Sequence, residues 1–223
     1  MPSELTTTSY AILGLLAIKP WTTYELAQQM ERALNNFWPR TRSKLYEEPK
    51  KLVARGLAKA TKETVGRRPR TVYSITAKGR KALAAWLPEP TTAEGPSLEF
   101  EHLVKLFFAE HGTKADLLAH LESLRPFIRR QHEIGVEVCQ GYLEGRAGFP
   151  QRLAWNLLVG EFHSRFDVLL SEWLDWATET VEGWPDDPRD AEPDMAVLER
   201  MAQRHEDWLA AATAPVKAAR LTP

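Results

Sequence analysis

Gly66-Arg67-Arg68-Pro69-Arg70-Thr71-Val72-Tyr73-Ser74-Ile75-Thr76-Ala77-Lys78-Gly79 is the stretch that decides the fold. Gly66 to Arg70 joins two backbone breakers to three cations and reads as a charged turn. Thr71 to Ile75 alternates, with Val72 and Ser74 on one face and Tyr73 and Ile75 on the other, as a half-buried strand does. Thr76 then offers a capping hydroxyl to a helix that reaches Trp86-Leu87. Leu57 to Val65, upstream, is rich in Thr and Val. Two strands around a basic turn predict a β-hairpin.

Three helices precede the hairpin. Residues 5–18 are apolar on nearly every side and predict a buried helix closed by Pro20. Thr22-Thr23-Tyr24-Glu25 fits a capping box, in which a Thr hydroxyl accepts from the backbone of Glu25 and the carboxylate reaches back. Leu26, Met30 and Leu34 follow at spacings of four, and Asn35-Asn36 ends the segment. A further helix starts near Thr41 or Ser43, turns Leu45, Leu52 and Val53 inward and stops at Arg55-Gly56. Helix, helix, helix, strand, basic turn, strand, helix is the order of a winged helix-turn-helix, in which one helix enters the major groove and the hairpin tip meets backbone or minor groove.

Pro88 to Pro96 is a linker by composition. Beyond it the pattern is helical. Phe100, Leu103, Val104, Phe107 and Phe108 form one face, and Leu117, Leu121, Leu124 and Ile128 another, with Pro126 as an expected kink. A break spans Gly145 to Pro150. A stripe of Leu153, Leu157, Phe162, Phe166, Leu169, Trp173 and Ala177 then runs to about Val181, and a last helix is expected from Met195 to about Ala212. The expectation is a mainly α protein: residues 1–88 a winged helix-turn-helix DNA-binding domain, 89–96 a linker, and 97–223 a helical domain for dimerisation and effector sensing.

Charge divides the same way. The net charge is −1, but residues 1–88 hold sixteen Lys and Arg against six Asp and Glu, a net +10, and the remainder carries −11. A basic half suits a polyanion, with the acidic half directed away from it. No run approaches the roughly 18 apolar residues needed to cross a bilayer. The apolar start of the chain has no basic leader before it, so no signal peptide is expected and the expected location is the cytoplasm. The single cysteine, Cys139, leaves no internal disulfide and reads as a small buried residue.

Residues 9–87 resemble the PadR family of transcriptional regulators, the phenolic-acid-responsive type. The matching stretches are Ile12-Leu13-Gly14-Leu15-Leu16, Tyr24-Glu25-Leu26, Leu45-Tyr46, Lys50 to Leu57 and the wing string Gly66 to Gly79. Two positions depart from the family pattern: Thr23 replaces a glycine, and Pro49 stands inside the reading helix where an aliphatic core residue is expected. The helical remainder is similar to the family's dimerisation and ligand-sensing region in type, length and position. The resemblance implies a homodimer on a roughly palindromic operator in double-stranded DNA, acting as a repressor and released by a small apolar or aromatic effector.

Candidate DNA contacts are Arg40, Thr41, Arg42, Ser43, Lys44 and Tyr46 on and before the reading helix, Lys50 as a phosphate contact, and Arg67, Arg68, Arg70 and Thr71 on the wing. Tyr46 also fits a core position. Aromatic residues at helical spacing are usually core or dimer interface; the sharper reading is an aromatic-walled pocket, with Trp155, Phe162, His163 and Phe166 as the candidate effector contacts. The six histidines show no ligand spacing, so no metal or other cofactor is expected. There is no phosphate-binding glycine loop, His-Glu-x-x-His or Gly-x-Ser-x-Gly, and Glu47-Glu48 and Asp186-Asp187 read as surface charge, so no enzyme is expected. Two rival readings are a ligand-independent DNA-binding regulator and a winged-helix module that binds protein, against which the basic wing speaks.

Overall fold

The computed structural model of the chain describes residues 5–34, 37–65, 68–91 and 95–213. The chain divides into two compact units, 1–96 and 97–223. The described residues are mainly helical, with one three-stranded antiparallel sheet.

In the first unit α1 (Thr7–Ile18), β1 (Trp21–Thr22), α2 (Thr23–Leu34) and α3 (Arg42–Ala54) lead to a hairpin of β2 (Ala58–Val65) and β3 (Arg68–Ile75), and α4 (Ala77–Trp86) closes it. The sheet order is β1-β3-β2. This is the winged helix-turn-helix. Its core is Ile12, Leu13 and Leu16 of α1, Leu26 and Met30 of α2, and Leu45 and Leu52 of α3, all nearly inaccessible to solvent.

The caps follow the sequence. Glu25 Oε2 accepts from the Thr22 amide and hydroxyl at 2.7 Å each, and the Thr22 hydroxyl accepts from the Glu25 amide at 3.2 Å. The end of α3 is set by Gly56, whose φ of 70° suits glycine. Its amide donates to Val53 and that of Leu57 to Leu52, both at 2.9 Å. That pair of bonds, with Leu57 and Leu52 both buried, is a Schellman stop. Thr76 caps α4 by accepting from the Gly79 amide at 3.0 Å, and its own hydroxyl donates to the Gly56 carbonyl at 2.7 Å. Gly79 is buried against the chain there; a Cβ on it would collide with the Leu57 carbonyl oxygen.

Two expectations are corrected in this unit. The charged turn is shorter than Gly66 to Arg70, because Arg68, Pro69, Arg70 and Thr71 belong to β3. Pro69 is tolerated because β1 pairs only with Tyr73 and Val72, leaving that edge of β3 open beside the proline. Glu48 is no surface charge: it is buried, accepts from the Ser9 hydroxyl at 2.8 Å and pairs with Lys51 at 2.7 Å. At the departure from the family pattern, α3 continues through Pro49, whose ring is fully buried and fills the position where an aliphatic side chain is expected.

The second unit consists of α5 (Glu101–Phe107), α6 (Lys114–Glu122), α7 (Arg125–Leu143), α8 (Leu153–Glu182) and α9 (Met195–Thr213). Its core sets Leu117, Leu121, Leu124 and Ile128 against Leu170, Leu174, Ala177 and Val181. Lys114 donates to the carbonyls of Glu182 at 2.7 Å and Trp184 at 2.6 Å, satisfying the C-terminal end of α8.

Pro126 is not a kink. It stands in the first turn of α7, where its missing amide costs nothing, and the chain breaks between α6 and α7 just before it. The apolar stripe on α8 is also divided. Phe166 and Trp173 pack on the core, whereas Leu157, Phe162 and Leu169 are 60%, 62% and 61% exposed. All the buried α8 positions lie in its C-terminal half. Cys139 is exposed, as are most described positions of α7 beyond Ile128.

Candidate nucleic-acid interface

The first turn of α3 presents Thr41, Arg42, Ser43 and Lys44, all exposed. The alternative for Tyr46 is half met, since it is only partly buried beside fully buried Leu45. Arg40 is drawn back toward the protein. Its guanidinium lies 4.0 Å from the centroid of the Trp38 ring, and its Nε donates to the Thr8 hydroxyl at 3.3 Å. Trp38 Nε1 donates to the same hydroxyl at 3.1 Å. The start of α1 therefore anchors the segment that leads into α3.

Several of the other cations are paired. Arg42 forms a fork onto Glu31 of α2, with Nε–Oε1 at 2.6 Å and Nη2–Oε2 at 3.0 Å. This hydrogen bond holds the Glu31 carboxyl below the usual carboxylate range and raises Arg42. Lys50 meets Glu47 at 2.8 Å, which lowers Glu47 and raises Lys50 in the same way. On the wing, Arg70 faces Glu63 across the β2–β3 ladder and donates to it at 2.8 Å and 3.1 Å. Lys44 makes no ion pair among the described residues. Thr71, partly buried, stands opposite Lys62. Arg67 and the side chain of Arg68 lie outside the described residues.

Sequence reasoning does not find these acidic partners equally well. Glu47–Lys50 has the i, i+3 spacing of a helical ion pair and is legible locally. Glu63–Arg70 follows from the hairpin register, which a turn extending to Arg70 conceals. Glu31–Arg42 joins two helices and leaves no local trace.

In the second unit, Trp155 and Phe162 are more than three-fifths exposed, while His163 and Phe166 are partly buried. Trp155 and Phe166 are eleven residues apart on α8, roughly 16 Å along its axis. The four therefore form a stripe along α8. An open groove of about 760 Å³ lies elsewhere, between α7 and α8, lined by Arg125, Ile128, His132, Val136 and Leu174 among others. None of the four lines it.

Residues 12–85 match the family model of the transcriptional regulator PadR-like family. The chain carries a PadR-like domain. Outside α1 to α4 the likeness continues. A Mycobacterium tuberculosis protein named as a probable transcriptional regulator is 32% identical over 127 residues, which cover 52% of this chain and 66% of that protein. The negative transcriptional regulator PadR of Bacillus subtilis is 30% identical over 104 residues, 44% of this chain and 54% of the relative. The matches thus span about two thirds and about half of these relatives' lengths. A crystal structure of Bacillus subtilis PadR in complex with operator DNA superposes with a TM-score of 0.66 at 19% identity, covering 80% of this chain and 99% of that one. Another, in complex with p-coumaric acid, has a TM-score of 0.50 at 19% identity, covering 75% and 96%. The PadR-like fold therefore extends beyond the domain the family model matches.

Proposed function

We propose that this chain is a transcriptional regulator, a repressor, that binds operator DNA as a homodimer in the cytoplasm and has no catalytic activity. The observation that carries the reading is the exposed polar turn Thr41-Arg42-Ser43-Lys44 at the head of α3, beside a cation-bearing hairpin, on a unit of strong positive charge. The fold shared with a PadR solved on operator DNA supports it. Ser43, Lys44, Arg42 and Tyr46 face the groove, Arg40 and Thr41 set the helix entry, Lys50 meets phosphate, and Arg67, Arg68, Arg70 and Thr71 hold the flanking backbone.

Homodimer formation is supported by the N-terminal half of α8, which exposes Trp155, Leu157, Leu158 and Phe162. A continuous apolar surface of this kind on one chain calls for a partner, and a second copy brings two reading heads to a palindrome.

The test is duplex binding as a function of salt. Operator fragments are selected from a random-sequence duplex library, and affinity is followed from 50 to 200 mM salt. Replacing Arg67 and Arg68 with Ala should weaken binding to every duplex and flatten the slope of log K against log salt by about one for each phosphate no longer neutralised. A chain that binds no duplex at low salt overturns the reading.

Release by a small aromatic effector is the finer part of the proposal. It is supported by the likeness to a protein solved with p-coumaric acid and by the aromatic stripe of Trp155, Phe162, His163 and Phe166. Planar aromatic acids should then quench tryptophan fluorescence saturably and weaken operator binding by one linked factor. The exposure of Trp155 and Phe162 to solvent favours the second reading, a ligand-independent regulator, for which no compound quenches.

A further inference from the structure

The winged helix-turn-helix has few acidic side chains, and their placement is not random. Five lie among the described residues from α1 to α4: Glu25, Glu31, Glu47, Glu48 and Glu63. Glu25 caps α2 and Glu48 braces α3 against α1. The other three have a different character. Glu31, Glu47 and Glu63 make their hydrogen bonds to Arg42, Lys50 and Arg70 respectively, each a candidate DNA contact. Residues 1–88 hold sixteen cations, and these three acids stand on cations proposed to meet DNA.

Two of the pairs have the geometry of competitors. Arg42 and Glu31 share two parallel N–H···O bonds, the arrangement a guanidinium also makes with a phosphate. Arg70 and Glu63 are directly opposite in the hairpin register, and both Arg70 nitrogens converge on one oxygen, Oε2. Both pairs are open to solvent, with side-chain exposures of 66% and 36% for Arg42 and Glu31 and 46% and 42% for Arg70 and Glu63. Exposed pairs contribute little to stability, so their weight falls on what the arginines can bind. A phosphate that engages either arginine must first displace a carboxylate already in place. Lys44, between them in sequence and without such a partner, is ready to bind at once.

We propose that Glu31 and Glu63 are intramolecular competitors of DNA phosphate, which hold Arg42 and Arg70 back from duplexes of arbitrary sequence and so set the non-specific affinity of the domain. This rests on the DNA-binding function proposed above. At an operator the contacts of the reading helix add to the phosphate contacts and overcome the competition. On other sequences the competition has nothing to oppose it.

The experiment uses the full chain and a 30-base-pair duplex of random sequence as the probe. Glu31→Gln and Glu63→Gln should each tighten binding roughly two- to fivefold, the range that exposed pairs are worth. Each should also steepen the salt slope by up to about one, as a freed cation becomes available to a phosphate. The gain from Glu31→Gln should vanish in an Arg42→Gln background, and that from Glu63→Gln in an Arg70→Gln background. Unchanged or weaker binding by the single variants overturns the proposal, as does a gain that persists without the arginine, since that is the mere removal of a negative charge. Glu31→Ala and Glu63→Thr replace any glutamine variant whose circular dichroism is not that of the parent. If the parent itself binds no duplex at any salt, the DNA-binding function fails first and the competition fails with it.

Discussion

The Ser9 hydroxyl donates to the Glu48 carboxylate at 2.8 Å, a bond between α1 and the middle of α3 across 39 residues of sequence. Ser9 is also the return partner in the cap of α1, accepting from the Thr6 amide at 3.2 Å. Glu48 Oε1 in turn receives Lys51. The cap of α1, the buried acid and α3 are thus one hydrogen-bonded chain.

Replacing Glu48 with Ala leaves the buried Ser9 hydroxyl without its acceptor and should cost about 1–3 kcal/mol. Glu48→Gln keeps an acceptor for Ser9 and should cost less. Urea titration monitored by circular dichroism reads both. An alanine variant as stable as the parent would mean that the bond does not brace α3.

Gly79 and Gly14 should respond in opposite directions to alanine. At Gly79 the added Cβ meets the Leu57 carbonyl, which belongs to backbone and cannot step aside; overpacking of this kind costs about 1–3 kcal/mol. Gly14 lies inside α1 with nothing within 4 Å of a Cβ, so alanine should stabilise by about 0.5–1 kcal/mol through its helix preference. Thermal melts of the two variants decide the matter, and equal shifts would contradict the packing at Leu57.

Acidification should loosen the junction of α5 and α6. The His102 and His120 rings stack with centroids 4.7 Å apart, and His102 is held below the ordinary histidine value, first by burial and then by the charges of His120 and Lys105, against Glu101. A histidine with a lowered folded value favours the fold while neutral. Its contribution is present above the unfolded value of about 6.5 and is lost as pH falls below it. Denaturant midpoints between pH 7.5 and 5.5 should therefore fall, and His120→Gln should flatten the trend. An equal slope in the variant would remove the pair from the account.

A carboxylate in the exposed half of α8 should separate the proposed dimer. Leu158 is 76% exposed in one chain, so Leu158→Asp has little folding cost within it, limited to the weaker helix preference of Asp. Sedimentation at micromolar concentration should show a dimer for the parent and a monomer for the variant. A parent that sediments as a monomer would remove the dimer.

Local features are legible in the sequence and distant ones are not. The Thr22–Glu25 box, the Gly56 stop and the Thr76 cap each lie within a few residues and follow from hydrogen-bonding rules that need no tertiary knowledge. The wing is recognisable, but its turn looks too long because Pro69 reads as a breaker until the open edge of β3 is known. Glu48 looks like surface charge because its partner is 39 residues away. The stripe on α8 looks like one face because periodicity gives azimuth, whereas burial depends on how far along the helix its neighbours reach. Among the candidate DNA contacts, residue types point to Arg42 and Arg70, but the carboxylates holding them come from another helix and another strand.

The hydroxyl of Thr76 fastens the far ends of the hairpin, where β2 begins and β3 finishes, to the stop of α3. The hairpin is thus clasped to α3 at its base, the end away from its tip. Lengthening the hairpin by matched pairs, or grafting another tip sequence, should change its reach along a duplex without tilting α3. For evolution and for design alike, the wing is an interchangeable tool on a fixed handle, and selection can refit one without recutting the other.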